Sequence, residues 1–165
     1  MESNHFLAEE LVRTLTARGL SIATAEATTG GLIGHCLVAI PGSSAVFLGG
    51  VAPYSNRAKI RLGVPEAVLA KHGAVSQETA EALATAARNW FEADIGIAES
   101  GIAGPGGGSD GRPVGSFWVA ASTFDGVVCR EFVFEGDRVA NQESVAEATL
   151  GLAVQVVGGA DQAEG

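Results

Sequence analysis

The chain holds several short stretches whose residue types and spacing could do chemistry. Ser100-Gly101-Ile102-Ala103-Gly104-Pro105-Gly106-Gly107-Gly108 follows the apolar run Ile95-Gly96-Ile97-Ala98. Glycines let a ligand approach the backbone closely, and consecutive free N–H groups form an anion-binding concavity. The stretch therefore reads as a ligand-binding loop or as a tight structural turn. Thr28-Thr29-Gly30-Gly31 lies at a strand-to-helix junction. Hydroxyls and helix N-terminal amides there can hold an anion or an oxyanion, or can simply cap the helix. In Tyr54-Ser55-Asn56-Arg57-Ala58-Lys59 the lysine is the candidate base. It would need its pKa drawn down from about 10.4, which requires burial or a nearby positive charge; otherwise it is a solvated surface group. Arg138, in Gly136-Asp137-Arg138, could grip a phosphate bidentately or serve in a surface cap.

Other chemistries find no support. The glycine loop is neither a Walker A motif nor a dinucleotide-binding fingerprint. His5, His35 and His72 lack ligand-like spacing, so no metal is expected. Cys36 and Cys129 form no CxxC pair and read as free thiols, which suits a cytoplasmic protein. The formal net charge of −9 argues against sequence-independent binding to nucleic-acid phosphates. Met1-Glu2-Ser3-Asn4-His5 does not open a signal peptide, and no apolar run reaches membrane-spanning length.

These residues must be positioned by a fold of ordinary size. With 165 residues, 47% of them hydrophobic and 18% charged, a single domain with a sizeable core is expected. Phe6, Leu7, Leu11, Val12 and Leu15 recur at helical spacing and predict a helix over 5–18, closed by Gly19. Leu20 to Ala25 reads as a strand, with Thr28 or Thr29 capping a helix over 30–39. Ala45 to Tyr54 reads as a strand with a bulge. Ser55 or Asn56 caps a short helix to Leu62, and Pro65 opens another that ends near Gly73. Ser76 caps a longer helix whose face carries Ala80, Leu83, Ala84, Ala87 and Phe91. A buried strand over 94–100 follows, then strands over 116–122 and 127–134 joined at Asp125-Gly126. Asp137 caps a helix to Val157, and 158–165 reads as a mobile tail beyond a domain spanning 1–157. Helices interleaved with strands and followed by a hairpin imply an α/β fold with a mixed sheet.

Taken together, the motifs resemble the C-terminal domain of the competence/damage-inducible CinA proteins, which also occurs alone as nicotinamide mononucleotide (NMN) amidohydrolase. The resemblance runs from Leu7 to Val156. It is carried by Thr24-Ala25-Glu26, Thr29-Gly30-Gly31, Pro41-Gly42-Ser43-Ser44, Tyr54-Ser55-Asn56 with Ala58-Lys59, and His72-Gly73-Ala74-Val75-Ser76. Gly101-Ile102-Ala103-Gly104-Pro105, Pro113-Val114-Gly115 and Gly136-Asp137-Arg138 complete it. It implies a three-layer α/β/α domain in a bacterial protein of NAD salvage. It also implies hydrolysis of the NMN carboxamide to nicotinic acid mononucleotide and ammonia, without metal or cofactor. In such a site Lys59 would be the general base and Tyr54 would orient it or the carboxamide. Thr28, Thr29 and Gly30 would stabilise the oxyanion. Ser100 to Gly104 and Arg138 would hold ribose and phosphate, with Gly31 and Asn56 in the substrate-binding set.

This chain departs from that pattern where it matters most. The family's nucleophilic serine lies in A-E-S-[CL]-T-G-G, and here that position is Ala27. Covalent catalysis needs an activated hydroxyl, thiol or amine at that point. Loss of the nucleophile in a comparable serine hydrolase costs roughly 10⁶ in turnover, on the order of 8 kcal/mol. Gln142 also stands where the family often has an arginine, which weakens the expected phosphate grip. The expectation is a mononucleotide-binding protein with impaired or lost hydrolysis. The alternatives are an active enzyme using Thr28, Thr29 or Lys59-activated water, and a non-catalytic binding or interaction protein. A homo-oligomer is compatible with the Gly- and Ala-rich helices.

Overall fold

Ile22–Glu26 (β1) is buried along its whole length and lies between two parallel neighbours, as near-continuous burial on both faces requires. In this computed structural model, which describes residues 2–159, the neighbours are β2 (Phe47–Val51) and β3 (Ile95–Gly101). Beyond β3 the sheet continues antiparallel through β4 (Ser116–Thr123) and β5 (Gly126–Val133), giving the order β2-β1-β3-β4-β5. The helices are α1 (Glu2–Arg18), α2 (Leu32–Val38), α3 (Asn56–Leu62), α4 (Glu66–His72), α5 (Gln77–Phe91) and α6 (Arg138–Gly159). The expected α/β class with a mixed sheet is the one observed.

Alternation along the strands sorts side chains into two cores. Ile22, Ile97, Phe117 and Val119 face α1, α2 and α6, where Leu11, Leu15, Ile33, Leu37, Val145 and Leu150 complete a large apolar layer. The opposite sheet face is lined at its centre by the small residues Ala25, Ala98 and Ala120, against Ala80, Leu83, Ala84 and Ala87 of α5. Small side chains bring α5 close to the sheet. A Cβ on Gly96 would lie 2.0 Å from the Ala84 carbonyl oxygen, so only glycine fits there.

The chain leaves β1 through α2 on one face and returns to β3 through α5 on the other. The C-terminal ends of β1 and β3 thus form a switch point, the place where open α/β sheets leave a crevice for ligands.

Several local expectations are corrected. Phe6 is 65% exposed, because the packed face of α1 is set by Ala8, Leu11, Val12 and Leu15. The second strand is shorter than 45–54: Ser43–Ala45 forms a 3-10 turn, and the β1 pairing skips from Phe47 to Gly49, so Leu48 is an extra residue in the ladder. The hairpin strand begins at Gly126, with Thr123 paired to Gly126. The start of α2 is capped by neither Thr28 nor Thr29. Gly31 takes the cap position, and the Glu26 carboxylate accepts the Gly31, Ile33 and Gly34 amides at 2.8–2.9 Å. Ser55, Ser76 and Asp137 do cap α3, α5 and α6. Gly158 and Gly159 continue α6, and residues 160–165 of the expected tail lie outside the described residues.

Candidate active site

A cleft of about 260 Å³ opens where β1 and β3 end. That lies just below the usual range of small-molecule sites, which starts at about 300 Å³. Ala27 and Thr28 line it from the turn after β1, and Ser100 to Gly104 from the end of β3. Tyr54, Asn56 and Lys59 enter from the start of α3, and Arg138 from the start of α6.

Lys59 is 3% exposed, although it belongs to a short helix beside the cleft. Its Nζ donates to the Tyr54 backbone carbonyl at 2.9 Å. Burial pushes the amine below its ordinary pKa, and the charge of nearby Glu99 opposes that shift. The physical requirement for a lysine base, desolvation, is therefore met here. The tyrosine acts through its backbone: its hydroxyl is turned outward and accepts from Arg138 Nη2 at 3.2 Å.

Position 27 presents a methyl group. Ala27 is 5% exposed and lines the same cleft as Lys59. The neighbouring hydroxyls are already engaged. Thr28 Oγ1 donates to the Gly101 carbonyl at 3.2 Å and accepts the Gly101 N–H at 3.1 Å. Thr29 Oγ1 lies 2.7 Å from Glu26 Oε2 and 3.0 Å from Glu99 Oε1, behind the cleft. The Thr28 and Thr29 amides both donate to Glu99 Oε1, at 2.7 and 2.9 Å. The oxyanion role expected of this segment thus meets amides that already have an acceptor. Ser100 Oγ donates to the Ala74 carbonyl at 2.6 Å.

The glycine loop is pinned from two sides. A Cβ on Gly101 would sit 2.0 Å from the Phe117 ring. Gly104 has φ +92°, and its carbonyl accepts from Arg138 Nη1 at 2.7 Å. Arg138 therefore commits one N–H of each terminal nitrogen to the protein, out of two. Fully buried Asn141 ties the loop to α6: its Nδ2 donates to the Ala103 and Gly136 carbonyls, and its Oδ1 accepts the Gly136 N–H. Gln142 Nε2 donates to the Thr28 carbonyl at 2.8 Å and so braces the turn after β1.

Of the residues singled out in the sequence, Ala27, Thr28, Tyr54, Asn56, Lys59, Ser100, Gly101, Gly104 and Arg138 meet at this cleft. Thr29, Gly30 and Gly31 stand behind it, in the turn that Glu26 and Glu99 hold. Among the described residues no cluster of three His, Cys, Asp or Glu side chains could hold a metal ion. Sequence reasoning gave no role to Glu26, Glu99 and Asn141. The available signal was a carboxylate in each of two buried strands, since a buried polar group is more informative than a buried apolar one.

Residues 4–157 match the CinA C-terminal domain family. The chain belongs to that family. A CinA-like protein of Chloroherpeton thalassium is 48% identical over 151 residues, covering 88% of this chain and 36% of the relative. The chain thus spans about a third of the length of such curated relatives. Solved structures of similar size agree in fold. The competence/damage inducible protein CihA of Agrobacterium tumefaciens superposes with a TM-score of 0.89 at 37% identity, over 92% of this chain and 94% of that one. A CinA superfamily protein of Klebsiella pneumoniae gives 0.90 at 33% identity, over 94% and 98%. The family's architecture is therefore present, with its cleft at the switch point of the sheet.

Proposed function

We propose that this chain binds a pyridine mononucleotide amide of the NMN class in the Ala27–Lys59 cleft, and that its amide hydrolysis is disabled at position 27. One observation carries the reading: a buried, deprotonation-prone lysine and a bare methyl group line the same cleft. The base is retained and the atom it would activate is missing. The family resemblance supplies the substrate class. Arg138 and the loop over 103–107 are, in this reading, the donors to its phosphate and ribose. Relocation of the chemistry to Thr28 is disfavoured, because its hydroxyl is bound both ways by Gly101 and is β-branched. Thr29 is disfavoured by its carboxylate partners behind the cleft.

No helix among the described residues is long and apolar enough to cross a membrane, and the thiols of Cys36 and Cys129 are unpaired with each other. The free thiols fit a reducing compartment, and the reading places the site of action in the cytoplasm. Binding is tested by thermal unfolding of the full chain with NMN. Ligand at 100 times its Kd adds about 2.7 kcal/mol. A rise in Tm that saturates with NMN supports the reading, and an unmoved Tm at millimolar NMN overturns it.

A further inference from the structure

Three consecutive amides converge on one residue. The Ala27 N–H donates to the Glu99 backbone carbonyl at 3.3 Å. The Thr28 and Thr29 N–H groups donate to the Glu99 side-chain Oε1 at 2.7 and 2.9 Å. Successive N–H groups curled around one point form a nest, a geometry that ordinarily receives an external anion. Here the occupant comes from the next strand.

We propose that Glu99 is a positioning residue: its carboxyl fills the nest of the Thr28 and Thr29 amides from inside, so that the turn aims position 27 at the cleft and the nest never receives ligand.

Register makes this arrangement. Glu99 on β3 pairs with Glu26 on β1, which places two carboxyls side by side on the face of α1, α2 and α6. Both are buried, and Thr29 Oγ1 lies within hydrogen-bond distance of each. They divide the work. Glu26 accepts three amides at the start of α2, from its cap Gly31 and from Ile33 and Gly34, while Glu99 Oε1 takes the turn. Among the described residues Glu99 Oε2 has no partner. An ionised carboxylate with a bare buried oxygen is expensive, and burial pushes the Glu99 carboxyl above its ordinary pKa. The titratable or polar groups facing it are Glu26 on β1, Thr28 and Thr29 in the turn, and Lys59 on α3. Burial favours the neutral form of both Glu99 and Lys59. A neutral acid can fill the nest without drawing Lys59 away from the Tyr54 carbonyl. The sequence Ala27-Thr28-Thr29 thus depends on a residue 70 to 71 positions away for its conformation.

The inference bears on the reaction only through the proposed function, so its test has an arm that does not need catalysis. In the native full chain, the amide resonances of Thr28 and Thr29 are followed while inorganic phosphate, the simplest anion the nest would take, is added. Both should stay in place, and their hydrogen exchange should rise about 100-fold in Glu99→Ala and within about threefold in Glu99→Gln, which keeps an acceptor oxygen. Saturable shifts of the two amides with phosphate would overturn the inference. The second arm uses Ala27→Ser as parent. Adding Glu99→Ala should lower kcat for NMN about 100-fold with KM within twofold, the signature of misaimed chemistry. Adding Glu99→Gln should recover most of the loss. A kcat that is unchanged or higher in the Glu99→Ala double variant would contradict the positioning role. If Ala27→Ser itself releases no ammonia, the proposed function fails while the amide arm still decides the role of Glu99.

Discussion

The Lys59 Nζ is held 2.9 Å from the Tyr54 backbone carbonyl. That single bond keeps a buried amine at the cleft without an ion pair, and it ties the base to a loop that ends at the Tyr54–Arg138 contact.

Lysine burial has a thermodynamic sign. In the unfolded chain the amine holds its proton up to about pH 10.5, whereas the folded chain releases it earlier. The unfolded state then binds more protons between the two values, so stability rises with pH across that window. Lys59→Met should be more stable than the native chain at pH 7, with the difference shrinking toward pH 10.5. Urea midpoints at the two pH values check this, and a difference that stays constant would refute it.

Glu99 works in the opposite sense. Its folded pKa is raised above the ordinary value of about 4.5, so the native state binds more protons above that pH. Its contribution is fully present at low pH and is lost as pH rises through the folded pKa. Glu99→Gln should therefore gain on the native chain as pH increases from 5 to 9. A stability gap that does not change with pH would show that Glu99 is ionised throughout.

Asn141 should be the most costly polar side chain to remove near the loop. Asn141→Ala removes three bonds made by a fully buried side chain and leaves the buried Ala103 carbonyl without its partner. A loss of about 2–3 kcal/mol is expected from denaturant unfolding. The NMN-induced Tm shift should weaken with it, because the loop loses its anchor on α6.

Arg138→Ala should leave the fold intact and impair binding. The residue is exposed, and it links the Gly104 carbonyl, the Tyr54 hydroxyl and the mouth of the cleft. Hydrogen bonds to charged groups contribute about 1.5–3 kcal/mol, so NMN affinity should fall at least about tenfold while Tm without ligand changes little. Calorimetric titration separates the two effects.

Much of this architecture was legible in the sequence because it is periodic or punctuated. The stripe of Leu11, Val12 and Leu15, the caps at Ser55, Ser76 and Asp137, and the hairpin near Asp125 all leave local signals. The cleft residues were legible by motif, and the fold brings Ala27 and Lys59 together across 32 positions. What escaped notice depends on pairing register. Nothing local to Glu99 says that it sits opposite Glu26 or that its Oε1 receives the Thr28 and Thr29 amides. Thr28 and Thr29 looked like helix caps for the same reason: their true partners come from β3 and from Glu26, which reaches forward to α2. Asn141 reads locally as one more polar residue of a helix, and its three bonds arise only when α6 docks on the loop.

The most direct measurement is ammonia release from NMN by the native chain beside its Ala27→Ser variant. Release by the variant alone is expected, with the native chain lower by roughly 10⁶. Equal release by both would contradict the claim that position 27 disables the site.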